Sequence, residues 1–485
     1  MKNRLPTKTS RRKLLAALGT LPLSFGAARC LRAAERQDVI ILGAGLSGLY
    51  SAMLLEEQGF NVILLEASDH VGGRVQTRTF DGIRHELGAS DIGVMYARVL
   101  DMMRRLKLER VPSAIGIKPY SYHVRGQLLN EDEWASSGVN RTVGDERAIA
   151  PAKLQSHLLA RYNPLVNLDD WLQPRYYSLD IPIAQYLANE GVSDEAIRLF
   201  GHSYNGIGMN RTSALSLFRD TTRTRFGIKA FMEMQKAGQQ VAPLSQVAGG
   251  NQRLPDAMAA SLRTEIRFGK AAAAIYHDGK GVEVTCNDGS RYQGDFLISA
   301  IPLTALRRIE FTPTLSADKS AITHQMEYYA VTKFYLRPKT RFWEADGYDA
   351  SMWTDGPVER VFAGTDSNGD VHSILVWITG QGSRRIDQMD RETATRFILD
   401  TLARIRPSTK GQLEIMGYHS WGNTPYINGC GHSYSAGQIE RYAVNLPKPE
   451  GRIHFAGEHT RRHEFGMESA MASAERVLGE ILQLA

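Results

Sequence analysis

The sequence predicts an α/β protein in which a doubly wound parallel sheet, assembled from separate stretches of the chain, carries an inserted α+β domain. Three observations lead to this prediction. Residues 38–66 read as strand, glycine-rich turn, helix and strand. Apolar runs typical of buried strands return at residues 295–302 and 451–457. Between residues 111 and 245, pieces rich in Pro, Tyr and Trp alternate with amphipathic helices, which is not the pattern of a parallel sheet.

The first stretch has the features of a Rossmann-type dinucleotide-binding turn. An apolar strand leads into Gly43-x-Gly45-x-x-Gly48, and a second apolar strand ends at Glu66. Gly43 permits the tight turn, Gly45 lets a pyrophosphate approach the backbone, and Gly48 lets helix and strand pack. Glu66, 21 residues after Gly45, can accept hydrogen bonds from both ribose hydroxyls. The pattern therefore predicts NAD or FAD, with an ordinary glycine turn as the alternative.

The residues after this acid resemble the flavin amine oxidase family. That family continues into a Gly-Gly-Arg that lies along the FAD pyrophosphate and ribityl chain, and here the matching residues are Gly72, Gly73 and Arg74. The resemblance implies that the dinucleotide is FAD. This chain has Ser68 and His70 in the intervening segment, where the family usually carries two arginines.

Residues 1–28 have the pattern of an export signal. A basic segment containing Arg11 and Arg12 precedes a short apolar run that ends in small residues at Ala28. Paired arginines favour the twin-arginine route, whose translocase accepts a protein already folded around its cofactor. We therefore expect a bacterial protein that this translocase delivers to the periplasm or outside the cell. The alternative is a disordered basic tail.

Composition argues against nucleic acid as a partner. The chain has 58 basic and 52 acidic residues, and residues 1–28 hold six of the basic ones and no acid. A chain cleaved after Ala28 would therefore be balanced in charge, so the basic pI indicates no nucleic-acid surface. Beyond Cys30 only Cys286 and Cys430 remain, which predicts neither a disulfide framework nor a metal site.

The chain is long enough for two or three structural domains. We predict an FAD-binding domain that is built from residues 38–110, 246–320 and 416–485. The predicted substrate-binding domain consists of residues 111–245 and 321–415.

Charged residues in the first half are candidates for the substrate pocket. In the resembling family, the segment that matches Gly88-Ala89-Ser90 passes the flavin, and the next residue faces the substrate. Here that residue is Asp91, which could hold a cationic group, lie in water, or cap a helix predicted over residues 94–106. On another predicted helix, one of three arginines could anchor a substrate carboxylate, with a solvated helical face as the alternative: these are Arg219, Arg223 and Arg225.

The resemblance also gives roles to two residues in the later strands. The position of Ala272 meets the adenine through its backbone. The strand that begins near Tyr329 matches the family strand whose lysine reaches the flavin N5 through a water, and that lysine is Lys333. Its apolar neighbours predict a partly buried ammonium, which needs a partner or a lowered pKa. The alternative is a lysine that protects an edge strand.

The last 70 residues match the family's closing signature. A strand runs into Gly457 and Glu458, and a helix rich in small residues begins near Gly466 and Met467. The N–H groups at the start of that helix, including that of Met467, can stabilise negative charge on the flavin. The resemblance implies that Trp421 supports the flavin ring.

Two differences from the family concern the pocket. Gly431 and Gly466 occupy the positions of two aromatic rings that flank the substrate in relatives acting on small amines, so the pocket should be wider or filled by other side chains. Cys430 lies where monoamine oxidases carry a cysteine bonded to FAD. We expect non-covalent FAD, with a covalent link at Cys430 as the alternative.

We therefore predict an FAD-dependent amine oxidase that produces an imine, which water hydrolyses, and reduces O2 to hydrogen peroxide. An L-amino acid is the favoured substrate, because the aromatic pair is absent and arginines are available for a carboxylate. Asp91 instead favours a monoamine or polyamine. The sequence also allows a dehydrogenase with another acceptor, a flavin desaturase or isomerase, and a redox carrier. A homodimer is a further expectation.

The predicted site residues fall into three groups. The catalytic residue is Lys333. The cofactor-binding residues are Gly43, Gly45, Leu46, Ser47, Gly48, Glu66, Ala67, Gly73, Arg74, Gly88, Ala89, Ser90, Ala272, Trp421, Gly457, Glu458, Gly466 and Met467. The substrate-pocket residues are Asp91, Gly431, Tyr434 and Gly466.

Overall fold

Five parallel strands form the predicted nucleotide-binding sheet in the computed structural model of this chain. In spatial order they are Ile266–Arg267, Asn61–Leu65, Asp38–Leu42, Phe296–Ser299 and Ile453–Phe455. The central strand is buried, as a parallel sheet covered on both faces requires. The strands come from three separate stretches, and the predicted α/β fold class is confirmed.

The structure describes residues 38–113, 119–202, 204–240, 242–366 and 368–485. The predicted export signal at residues 1–28 lies outside these residues, and so does Cys30. Within the described residues, no helix combines the length and the apolar character needed to cross a bilayer.

Helices from both ends of this part of the chain cover the parallel sheet. Leu46–Glu57 follows the first glycine turn and packs against Gly466–Leu482, where the hydroxyls of Ser47 and Ser473 lie 3.2 Å apart. Ala97–Arg105 lies within the helix predicted over residues 94–106, and Arg253–Ser261 also packs on Leu46–Glu57.

Smaller sheets surround this core. A four-stranded sheet has the order Arg291–Gly294, Val282–Cys286, Ala272–His277 and Glu310–Thr312. Thr77–Phe80 pairs with Ile83–Glu86 in a hairpin, and Glu327–Tyr329 pairs with Gly431–Ser433. A three-stranded sheet has the order Ile92–Gly93, Leu244–Val247 and Arg110–Pro112.

A seven-stranded sheet brings together both stretches predicted for the substrate-binding domain. Its order is Leu413–Ser420, Val331–Pro338, Val371–Thr379, Arg360–Thr365, Met352–Thr354, Ser121–Val124 and Gln127–Leu129. The strand Leu413–Ser420 runs across the boundary predicted at residue 416, because it pairs with Val331–Pro338 as far as Ser420. The chain thus leaves this sheet five residues later than predicted, at Trp421. The division into domains remains a prediction.

The remaining helices fall into two groups along the chain. Those before residue 240 are Pro151–Tyr162, Ile183–Asn189, Asp194–Gly201 and Ala214–Lys236. Those after residue 300 are Leu303–Leu306, Ala317–Gln325, Phe342–Asp346, Gly380–Ile386 and Arg391–Ile405. Short helical turns occur at Glu131–Glu133, Gly144–Ala148, Asp170–Leu172, Pro174–Leu179, Pro407–Thr409, Ile439–Ala443 and Glu458–Thr460.

Candidate active site

A cavity of about 1500 Å³ runs from the first glycine turn to the seven-stranded sheet, and we call it the main cavity. It brings together most of the residues predicted from the sequence. The predicted residues that line it are Gly43, Gly45, Leu46, Ser47, Glu66, Ala67, Gly73, Arg74, Gly88, Ala89, Ser90, Asp91, Ala272, Trp421, Gly431, Gly457, Glu458, Gly466 and Met467. Gly48, Lys333 and Tyr434 lie outside its lining.

The first turn has the geometry that a dinucleotide requires. Gly43 has a φ of +98°, and its N–H donates to the Leu65 carbonyl at 2.7 Å. A Cβ on Gly48 would lie 1.8 Å from the Gly43 carbonyl oxygen, so Gly48 keeps the helix against the turn rather than lining the cavity. Glu66 accepts the Ala44 N–H at 2.7 Å, which holds its carboxylate beside the turn. These residues fit an adenine dinucleotide.

A partly buried ion pair joins the Gly-Gly-Arg loop to the closing segment. Arg74 donates to the Cys430 carbonyl at 2.8 Å and to the Glu458 carboxylate at 3.2 Å. Burial alone would raise the pKa of Glu458, but His432, Arg74 and Arg461 hold that pKa well below its usual range. Glu458 is therefore an anion that keeps Arg74 in place beside the cavity.

Lys333 lies directly behind the cavity wall. Its side chain is 1% exposed, and its Nζ donates to the carbonyls of Glu86 at 3.1 Å and Gly88 at 3.4 Å. The ammonium also lies 4.0 Å from the centre of the Trp377 ring, and burial lowers the pKa of Lys333 to about 8. Its strand is paired on both sides, so the edge-strand alternative is wrong.

Trp421 and Cys430 lie on the main cavity near this lysine. Trp421 is fully buried, and its indole N–H donates to the Leu87 carbonyl at 2.8 Å. Cys430 is a free thiol whose pKa is raised by burial. A covalent link at Cys430 stays open as the alternative to non-covalent FAD.

Tyrosines from elsewhere in the chain fill the space beside the two pocket glycines. A Cβ on Gly431 would lie 2.7 Å from the Tyr329 hydroxyl, and a Cβ on Gly466 would lie 2.9 Å from the Tyr96 hydroxyl. Both tyrosines line the main cavity, as does Trp377. Of the two expectations, a wider pocket or one filled by other side chains, the structure shows the second at both positions. Sequence analysis missed these tyrosines, because nothing local to Tyr96 or Tyr329 indicates the contact.

The acidic candidate for the pocket is Asp91. It accepts a hydrogen bond from the Ser90 hydroxyl at 3.0 Å through Oδ2, while its enclosed Oδ1 has no hydrogen-bond partner in the described part of the chain. The helix Ala97–Arg105 begins after Tyr96 without a side-chain cap, so the alternative in which Asp91 caps this helix is wrong.

The three candidate arginines have different environments in the structure. Arg219 is 1% exposed and is paired with Asp220 at 3.0 Å, so the solvated-face interpretation is wrong for this residue. Arg225 is exposed and donates to the carbonyls of Leu165 and Val166. Arg223 lines the main cavity, with its guanidinium 5.4 Å from the Tyr96 ring centre. Among the described residues it has no carboxylate partner.

The last of the predicted substrate-pocket residues is Tyr434. It lines a second cavity of about 600 Å³, not the main cavity, because Trp171 and Arg219 pack against its ring. Across the ranges that the structure describes, no cluster of three or more His, Cys, Asp or Glu side chains could hold a metal ion.

Comparison with known proteins shows what this cavity belongs to. Residues 46–482 match the model of the flavin-containing amine oxidoreductase family. The chain belongs to this family. Its cofactor is FAD, and the residues of the first turn fit that group.

Relatives and solved structures extend along nearly the whole chain. A flavin-containing amine oxidase of Danio rerio is 26% identical over 473 residues, covering 93% of this chain and 86% of the relative. Flavin-containing amine oxidase B of Homo sapiens is 26% identical, covering 92% and 86%. Putrescine oxidase bound to putrescine has a TM-score of 0.75 at 21% identity, covering 92% of this chain and 99% of the other. Cyclohexylamine oxidase from Brevibacterium oxydans IH-35A has a TM-score of 0.73 at 22% identity, with the same coverage. These two structures support the fold.

Proposed function

We propose that this flavin amine oxidoreductase is an L-amino acid oxidase that releases hydrogen peroxide. In the reaction, the substrate loses two electrons and two protons overall, with one hydrogen leaving the amine-bearing carbon and one leaving the nitrogen. Water then hydrolyses the resulting imine to a keto acid and ammonia. FAD, when bound, accepts the two electrons and passes them to O2, which becomes hydrogen peroxide.

Arg223 is the observation that carries this proposal. It lines the main cavity, and no carboxylate partner for it occurs among the described residues. A guanidinium matches a carboxylate through two parallel hydrogen bonds, so a free one in a cavity is a good anchor for an amino acid. Its position against the rings of Tyr96 and Phe465 holds it in place without consuming its charge.

Lys333 would act on the flavin side of the same cavity. Its ammonium is fixed by the carbonyls of Glu86 and Gly88, so it can hold a water beside the reacting centre without swinging away.

A second candidate is a monoamine or polyamine oxidase, and Asp91 favours it. A buried carboxylate oxygen without a partner is costly, and a cationic substrate group would satisfy it. The names of the relatives, amine oxidase and putrescine oxidase, agree with this candidate.

The test compares substrates and variants with the FAD-loaded enzyme. We expect L-amino acids to bleach the flavin without oxygen and to release hydrogen peroxide in air. Arg223→Leu should raise KM for amino acids by about 100-fold, which is the loss of roughly one charge-assisted hydrogen-bonded pair. The matched control Lys229→Leu, at an exposed position on the same helix that lines neither cavity, should leave KM unchanged. Amines that bleach the flavin while amino acids do not would contradict the proposal and favour the second candidate.

Two further parts of the proposal concern acceptor and location. If substrate bleaches the flavin but oxygen restores its colour slowly, the enzyme is a dehydrogenase with another acceptor. We propose that the twin-arginine translocase exports the folded protein to the periplasm or beyond. Replacing Arg11 and Arg12 by lysine should then retain the protein in the cytoplasmic fraction, and equal export of this variant would contradict that route.

A further inference from the structure

The second cavity adjoins the main cavity and shares part of its wall. The shared lining includes Asn205, Arg223, Tyr329 and Phe465. Its volume of about 600 Å³ is within the range of small-molecule sites. Arg223 therefore belongs to the walls of both cavities.

One face of the helix Pro151–Tyr162 forms the outer wall of this second cavity. The residues on that face recur at helical spacing and are mostly small: Ala152, Gln155, Ser156, Leu159 and Ala160. Leu217 and the rings of Tyr204 and Tyr434 line it as well, and all three are buried. Small residues on one wall and aromatic rings on another leave room for a flat or branched apolar group.

The charges around the second cavity are unequal. Its lining includes two carboxylates, those of Asp220 and Glu458. It also includes the four guanidinium groups of Arg219, Arg223, Arg225 and Arg461. The excess of positive charge disfavours a cationic group here.

The arrangement of an amino acid around Arg223 follows from these positions. If the substrate carboxylate binds Arg223 and the amine-bearing carbon faces the flavin side of the main cavity, the substrate's side chain must extend away from both. The second cavity adjoins the main cavity at Tyr329 and Phe465, which line both. We propose that the second cavity is the side-chain pocket of the substrate, and that the substrate is an L-amino acid with a large, uncharged side chain. This inference rests on the proposed function.

The test narrows the second cavity from its outer wall. Ala152→Phe and Ala160→Phe place a ring on the lining face, at half-buried and exposed positions that tolerate a larger side chain. Lys153→Phe is the matched control, because it adds the same ring to an exposed position of this helix that lines neither cavity. Two variants at different exposures guard against a single folding failure.

Binding is measured with carboxylates that have no amine and so cannot be oxidised. We titrate the FAD-loaded enzyme with 3-phenylpropanoate and with propanoate, following the flavin spectrum. In Ala152→Phe and Ala160→Phe, the Kd for 3-phenylpropanoate should rise about tenfold, whereas the Kd for propanoate should stay within about twofold. Only 3-phenylpropanoate has a ring to place in the second cavity. Flavin reduction by L-phenylalanine, relative to L-alanine, should fall in parallel, and L-lysine should be a poor substrate of the unmodified enzyme.

The outcomes separate this inference from the proposed function. If amino acids bleach the flavin but the filled variants treat large and small ligands alike, the side-chain pocket is wrong and the oxidase proposal stands. If L-lysine is preferred over L-phenylalanine, the pocket is also wrong. If no amino acid bleaches the flavin and neither carboxylate binds, the proposed function fails and this inference fails with it.

Discussion

Replacing Lys333 by methionine should stabilise the protein while removing activity. Burial lowers the pKa of Lys333 from 10.5 to about 8, so at neutral pH the folded protein carries an ammonium that it holds less well than water does. A shift of this size corresponds to about 3 kcal/mol. Methionine also gives up the hydrogen bonds to the carbonyls of Glu86 and Gly88, which offset about 1 kcal/mol. The net expectation is a gain of about 2 kcal/mol at pH 7.

The stability difference between Lys333→Met and the unmodified protein should depend on pH. Below about pH 8, Lys333 is protonated in both the folded and the unfolded protein, and the full penalty applies. Between about 8 and 10.5 the folded protein releases the proton before the unfolded chain does, so the penalty shrinks as the pH rises. The stabilising effect of Lys333→Met should therefore fall from pH 7 towards pH 10.5, above which only the loss of the hydrogen bonds to Glu86 and Gly88 remains.

Thermal unfolding of the FAD-loaded enzyme, followed by flavin fluorescence, measures this effect. We expect the midpoint of Lys333→Met to exceed that of the unmodified protein by about 2 to 4 °C at pH 7. Lys236→Met, at an exposed position, should change the midpoint little at any pH. Reaction of the reduced flavin with oxygen should slow in Lys333→Met alone. If Lys333→Met were less stable than the unmodified protein by the same amount at pH 7 and at pH 10, burial of the Lys333 ammonium could not be what destabilises the folded protein.

Three other changes test the cofactor site and its support. Gly48→Ala puts a Cβ 1.8 Å from a backbone oxygen and should give protein without flavin colour, whereas Gly279→Ala, which meets nothing within 4 Å, should stay yellow. Acid precipitation of the enzyme should release all of its flavin, with or without Cys430→Ser; colour in the wild-type pellet alone would show a covalent bond. Asp220→Asn leaves the buried guanidinium groups of Arg219 and Arg461 without the charge of their shared carboxylate. It should lower the free energy of unfolding by about 3 to 5 kcal/mol. The exposed pair altered in Asp101→Asn should contribute less than about 1 kcal/mol, and equal effects in urea unfolding would contradict this difference.

Elements that are determined by one continuous stretch of sequence were predicted most completely. The strands Asp38–Leu42 and Asn61–Leu65 and the helix between them follow from local glycine positions and apolar spacing, and their bounds agree with the pattern. Such elements need no knowledge of distant parts of the chain, because period and capping decide them.

Features that depend on distant parts of the chain were not predictable in the same way. Tyr96 fills the space beside Gly466, and Tyr329 fills the space beside Gly431, only because separate segments meet at the cavity. The alternating pattern around Lys333 could not distinguish an inner strand from an edge strand, since both of its neighbours come later in the chain. The strand Leu413–Ser420 was divided at residue 416 for the same reason.

Buried charges connect the helix Ala214–Lys236 with the cofactor side of the molecule. Asp220 is shared by Arg219 and Arg461, and Arg461 lies 3.9 Å from Glu458, which pairs with Arg74. Three guanidinium groups face two carboxylates, so this buried set has an excess of positive charge. The FAD pyrophosphate is an anion, and Arg74 lines the cavity that would hold it, so bound FAD offsets part of that excess. Removing the charge of Asp220 would enlarge that excess, so Asp220→Asn should retain FAD at least as tightly as the unmodified enzyme, even though Asp220 lines only the second cavity. The same charges that fix the inserted helix against the cofactor side thus tie the substrate cavities to the presence of FAD.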